Sequence, residues 1–162
     1  METKRLVWTA MLTALAVVIP LVFSSIGLVL VLGPFTATVA SHVPVMLAMF
    51  LTPGSAFLVG LGSALSFMAI HGMVVAARAA MHAFVAAGGA VLIGRGRSFA
   101  QVLLITLPIH GLLESLIVLP FGYSLYQALV VVGLGTAIHH AVDMVIALSI
   151  VKFISPILPR QI

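Results

Sequence analysis

The stretch VVAARAAMHAFVAAGGAVLI, Val74 to Ile93, is 20 residues of almost unbroken apolar sequence holding one charge, Arg78, and one histidine, His82. About 20 such residues are enough for a helix to cross a bilayer. Arg78 and His82 are four apart, so they share one helical face, a turn apart. Only two other charged residues lie well inside the chain, Glu114 and Asp143, and the pattern repeats at both. His110 stands four residues before Glu114, His139 four before Asp143, and His140 three before it. Ionisable groups at membrane depth are costly and usually mark a ligand or ion site. Three clusters on three consecutive apolar segments point to one shared polar pocket.

Composition agrees with a bilayer as the solvent. The 162 residues are 63% hydrophobic and 6% charged, against about 25% charged in a soluble domain. So little charge could not cover a water-facing surface. The expectation is an all-α polytopic membrane protein, one domain over residues 1–162. The formal charge of +4 comes from seven scattered Lys and Arg residues, which form no basic stripe for nucleic acid. Cysteine is absent, which excludes disulfides, thiolate zinc and iron–sulfur clusters. Met1 to Arg5, with Lys4 and Arg5 before an apolar run, could mimic a signal peptide, but the run is too long, and a retained first helix is expected.

Outward from Val74–Ile93, the apolar runs predict six spans. The first covers Leu6 to Phe23. Ser24 to Thr38 is irregular and broken at Gly27 and Gly33–Pro34, and reads as a loop that caps a cavity. The second span is Ala37 to Leu51, kinked at Pro44. Thr52–Gly54 is a turn, and the third span is Ser55 to Ile70, ending at His71–Gly72. Val74–Ile93 is the fourth, Phe99 to Leu119 the fifth, and Leu125 to Phe153 the sixth, closed by Pro156 and Pro159. Cytoplasmic loops carry the excess of Lys and Arg. Six spans put Lys4, Arg5, Arg95, Arg97, Lys152 and Arg160 all on one side, and five or seven do not. Both termini are therefore expected in the cytoplasm.

With neutral histidines, Arg78, Glu114 and Asp143 sum to −1. A cationic or ring-nitrogen ligand, or one extra proton, would balance them, and Arg78 could instead grip a carboxylate with its planar fork. His42, just before Val43–Pro44, is placed in the same pocket, whereas His71 reads as a surface residue beside a turn. A structural ion-pair network across three helices is the competing account. Metal chemistry is a further one, since His and carboxylate donors suit zinc, nickel or cobalt. No HisGluXXHis pattern is present, and no metal ligand or cofactor is assigned. Gly60 to Ala64 matches a glycine-flanked serine nucleophile only poorly.

The whole chain resembles the S components of energy-coupling factor (ECF) transporters, the small membrane subunits that bind vitamins. The residues that carry the resemblance are Ala10-Met11-Leu12-Thr13-Ala14, Ser41 to Pro53, His110 to Glu114 and Gly135 to Asp143, the last three most like the niacin-type branch. The resemblance implies high-affinity binding of a small water-soluble vitamin, nicotinate or a related heterocycle, from outside a prokaryotic plasma membrane. The pocket would use Arg78, His82, His110, Glu114, His139, Asp143 and His42, under a gate at Gly33–Pro34. Ala10 and Ala14 would face a transmembrane coupling subunit driven by two cytoplasmic ATPases. This chain lacks a GxxxxGK[ST] loop, so ATP hydrolysis falls to those partners and the chain itself is no enzyme. A nickel or cobalt S component, or a His/carboxylate metal-dependent membrane enzyme, is the alternative. The nickel/cobalt branch usually has an N-terminal metal-binding histidine, where this chain has Met1–Lys4.

Overall fold

The computed structural model describes residues 2–154; Pro156, Pro159 and Arg160 lie outside the described residues. Five helices are long and apolar enough to cross a membrane. The first, α1 (Glu2–Ser25), has 24 residues and is about 36 Å long at 1.5 Å per residue. Its intramembrane hydroxyls bond to its own carbonyls: Thr9 donates to Arg5 O and Thr13 to Thr9 O, each at 2.8 Å. Thr9 and Thr13 are therefore satisfied without a neighbouring helix.

The irregular stretch after α1 contains a small antiparallel hairpin, β1 (Leu30–Leu32) with β2 (Phe35–Ala37). Gly33 and Pro34 form its two-residue loop. Gly33 has φ +56°, and a positive φ followed by proline's fixed negative φ suits a II′ hairpin turn.

The second span needs correction. Ala37 ends β2, residues 39–42 form turns, and only α2 (Val43–Ala48) is helical. Pro44 sits in the first turn of this six-residue helix, where a missing N–H costs nothing, and so it starts α2 instead of kinking a longer one. The segment nevertheless lies at the centre of the molecule. Val45 and Ala48 pack with Leu12, Ala16, Val59 and Ala86, while Val43, Met46 and Met49 pack with Phe99 and Val102. Irregular backbone is tolerated at membrane depth when protein covers it.

The remaining helices follow the expected spans closely: α3 (Pro53–His71), α4 (Met73–Gly94), α5 (Phe99–Val118) and α6 (Gly135–Ile154). A turn of 3₁₀-helix (Leu119–Phe121) extends α5, and a π-helix (Gln127–Leu134) leads into α6. Thr52 caps α3 and Ser98 forms a capping box with Gln101 at the start of α5.

Contacts fix the directions. Gly62 meets Thr13 and Ser66 bonds to Val17 O, so α1 and α3 run parallel, and the segment between them must return across the bundle. Gly60 lies against Ala83 of α4, Arg78 against Glu114 of α5, and Gly111 against Gly133 and Ala137 on the way into α6. These neighbours are antiparallel. The start of α1, the Gly94–Ser98 turn and the end of α6 consequently share one side. The outer faces are apolar, with Leu65, Phe84, Leu104, Ile138 and Val145 exposed, while Arg78, Glu114 and Asp143 are buried. That is the arrangement expected in lipid.

Candidate functional site

All seven residues expected in the pocket converge and are buried. Arg78 lies in the second turn of α4 and Glu114 in the last two turns of α5. Arg78 donates from Nε and Nη2 to Glu114 Oε2 at 3.0 and 2.6 Å, and Thr136 at the start of α6 donates to the same oxygen at 2.6 Å. Charge-assisted bonds of this length are strong. The other oxygen, Oε1, faces two imidazoles, His110 Nε2 at 3.1 Å and His82 Nε2 at 3.3 Å.

Each of these rings is held from behind. His82 Nδ1 is 3.0 Å from Ser63 Oγ, which gives the serine of the Gly60–Ala64 pattern a positioning role. His110 Nδ1 is 3.1 Å from His140 Nδ1, and His140 Nε2 donates to Leu103 O at 3.1 Å. A carbonyl only accepts, so His140 carries its proton on Nε2. His42 is the N-cap residue of α2, yet its side chain makes no capping bond. Its ring instead sits 4.7 and 4.8 Å, centroid to centroid, from His82 and His110.

Asp143 serves another purpose. Its two oxygens accept from the backbone N–H of Ala40 (2.8 Å) and His42 (2.9 Å). His42 Nδ1 and His139 Nε2 approach Oδ2 at 3.2 and 3.4 Å. His139 donates from Nε2 to Thr38 O at 3.0 Å. Asp143 and His139 thus hold the turn that leads into α2, where Ala40 adopts φ +65°.

The hairpin closes the site. Arg78 donates from Nη1 to Pro34 O at 2.8 Å and lies 5.2 Å from the Phe35 ring centroid, a cation–π distance. Phe35 is seated where a side chain on Gly135 would collide with it. Beneath the hairpin is a cavity of about 20 Å³ lined by Thr36, Thr38, Ser41, His42, Arg78 and His82 among others. Four buried side-chain atoms lack a hydrogen-bond partner among the described residues: Thr38 Oγ1, Ser41 Oγ, His42 Nδ1 and His82 Nε2. All four residues line this cavity. A larger groove of about 920 Å³ between the hairpin and α6 is apolar except for His139, and offers nothing to a charged ligand.

The sequence reading missed Thr136, Thr38 and Ser41, hydroxyls with no spacing that separates them from ordinary helix and loop residues, and weighed Ser63 only as a poor match to a nucleophile. It placed His140 only beside the pocket, and the structure makes it the second ring of a relay. His71, expected at the surface, is half-buried with Nε2 3.1 Å from Ser24 Oγ. Ala10 and Ala14 are exposed on the outer face of α1, whose buried residues are Thr9, Leu12, Ala16 and Pro20.

No family model and no solved structure matches the chain. Among curated proteins, the niacin transporter NiaX of Lactococcus lactis subsp. cremoris (strain MG1363) is 34% identical over 178 aligned positions, covering 99% of this chain and 79% of that protein. The chain belongs to the niacin-type S components of ECF transporters. It is a multi-pass membrane protein of vitamin transport that takes a small-molecule substrate, and the family is one of transport subunits, not enzymes.

Proposed function

We propose that this chain is the substrate-binding subunit of an ATP-driven ECF importer and that its substrate is nicotinate or a close heterocyclic relative. The observation that carries the proposal is the convergence of four unpartnered buried polar atoms on one cavity beside Arg78. Buried polar groups without partners call for water or a ligand. The name of the NiaX relative supplies the substrate class. Arg78 would take the carboxylate in place of the Pro34 carbonyl, and a histidine or carboxylate would meet the ring nitrogen.

The closed cavity, about 20 Å³, holds little more than a water molecule. Nicotinate therefore requires the Gly33–Pro34 hairpin to lift, and the Arg78–Pro34 bond is the contact that must break. Lys4, Arg5, Arg95, Arg97 and Lys152 lie on one side of the bundle, and the excess of basic residues in cytoplasmic segments supports assigning that side to the cytoplasm. The hairpin then opens outward in a prokaryotic plasma membrane. The exposed Ala10–Ala14 face of α1 is suited to close approach by a coupling helix, with two ATPase subunits beneath.

Calorimetry on the detergent-purified chain tests this. Nicotinate should bind tightly and nicotinamide, which lacks the carboxylate, more weakly. Removing one member of the buried pair leaves the other charge stranded, costing about 3–5 kcal/mol. The informative variant is therefore the double substitution Arg78→Met with Glu114→Gln, which should stay folded and weaken nicotinate by at least about 100-fold, or about 2.7 kcal/mol. Unchanged affinity in a folded double variant would make the pair a structural network.

A further inference from the structure

We propose that His42, His82, His110 and Glu114 form a binding site for a divalent metal ion of the zinc class, resident beside the vitamin. The four residues offer donor atoms that all lie within 4.8 Å of one another. In His82, His110 and Glu114 one polar atom is engaged by an outer partner and another is left over, while His42 adds a ring whose Nδ1 makes no hydrogen bond. His82 has Nδ1 on Ser63 Oγ, His110 has Nδ1 on His140, and His42 has Nδ1 3.2 Å from Asp143 Oδ2. Glu114 has Oε2 taken up by Arg78 and Thr136. The Nε2 atoms of His82 and His110 and Oε1 of Glu114 remain, each oriented from behind as the outer shell of a metal site orients its ligands, and His42 adds the fourth donor.

Tautomers sharpen the case. His140 keeps its proton on Nε2 for Leu103 O, so as a neutral ring it accepts from His110 Nδ1–H. A neutral His110 then presents a bare Nε2 lone pair to Glu114 Oε1 at 3.1 Å. Two lone pairs at that distance need a cation between or beside them. A proton on His110 would repair this one contact, but His82 Nε2, 3.3 Å from the same oxygen, still makes no hydrogen bond. A metal ion uses both nitrogens.

The spacing fits. Bonds of about 2.0–2.1 Å in a tetrahedron put neighbouring ligands roughly 3.3 Å apart, and His82 and His110 stand 3.3 and 3.1 Å from Oε1. Imidazole with a single carboxylate selects zinc-like ions over calcium or magnesium. Charge fits as well: Arg78, Glu114 and Asp143 sum to −1, so a divalent ion leaves +1, which a carboxylate such as nicotinate neutralises. That last step rests on the vitamin reading; the ion site itself does not.

The test uses the full chain in detergent, stripped with EDTA and dialysed. ZnCl₂ is titrated by calorimetry and CoCl₂ by visible absorption. The expected result is one ion per chain, with the intense visible bands of tetrahedral cobalt. Ser63→Ala, which removes only an outer support, should weaken zinc by about 10-fold, and His82→Gln by more than that. Failure of the unmodified chain to bind zinc stoichiometrically overturns the site, and so does unchanged zinc affinity when His82→Gln and His110→Gln are combined. Nicotinate is then titrated into stripped and zinc-loaded protein, and tighter binding to the loaded form is expected. Equal binding to both overturns the ion's part in vitamin binding while the vitamin reading stands. Zinc binding with no nicotinate binding to either form overturns the vitamin reading and leaves the metal site in place.

Discussion

Glu114 and Asp143 are both buried acids with histidines one turn away, yet they occupy different kinds of surroundings. Glu114 is met by side chains from α4, α5 and α6: Arg78, Thr136, His82 and His110. Asp143 is met first by backbone, the N–H groups of Ala40 and His42. Side chains can rotate away when a ligand arrives, whereas backbone amides in a protein-covered turn cannot find other acceptors. The comparison teaches that the same sequence pattern, a carboxylate with histidine at i−4, yields a carboxylate held by side chains at one site and one held by backbone at the other.

The largest effect should come from the backbone-held carboxylate. Asp143→Ala leaves two backbone N–H groups without an acceptor, at roughly 1–3 kcal/mol each, and should lower the thermal midpoint more than the paired change Arg78→Met with Glu114→Gln, which strands no charge. Asp143→Asn keeps one acceptor oxygen and should fall between. If both Asp143 variants melt like the unmodified chain, the division between backbone-held and side-chain-held carboxylates is broken.

A smaller effect is expected at the hairpin that covers Glu114's side of the site. Gly33 has φ +56°, so Gly33→Ala strains the turn by about 1 kcal/mol. Nicotinate should dissociate several-fold faster, measured by competition with labelled ligand, with little change in melting. A slower release would mean that the hairpin does not act as the cover.

The smallest effect on binding should come from α1. Ala10→Leu with Ala14→Leu adds bulk to a face already exposed, so melting and nicotinate affinity should be unchanged while uptake by the assembled transporter is blocked. Normal uptake would remove the coupling role from that face.

How much of this was legible in the sequence follows from the same contrast. The i, i+4 pairs at Arg78, Glu114 and Asp143 were visible because charges stand out in apolar helices, and three pairs on consecutive helices had to share a pocket. The two surroundings were not visible, because the partners that separate them are backbone amides and hydroxyls. The second span was misread for a related reason. An apolar run of helical length looks the same in lipid or in protein, and Ala40 is held at φ +65° by Asp143, 103 residues away. Tertiary contact overrode local pattern there. The parallel direction of α1 and α3 still brings the basic segments to one side, because the chain between them returns through the core.

The internal bonding of Thr9 and Thr13 in α1 has a consequence for how the protein is made. The ribosome makes α1 before α3, against which it packs, and Thr9 and Thr13, bonded to carbonyls of their own helix, do not have to wait for that neighbour. Arg78 enters next among the charged residues of the interior, and its counter-charge, Glu114, is 36 residues behind it. Until α5 is synthesised, α4 carries an uncompensated cation, and so α4 has reason to linger at the insertion machinery until α5 arrives and the two can enter the bilayer as a neutral pair.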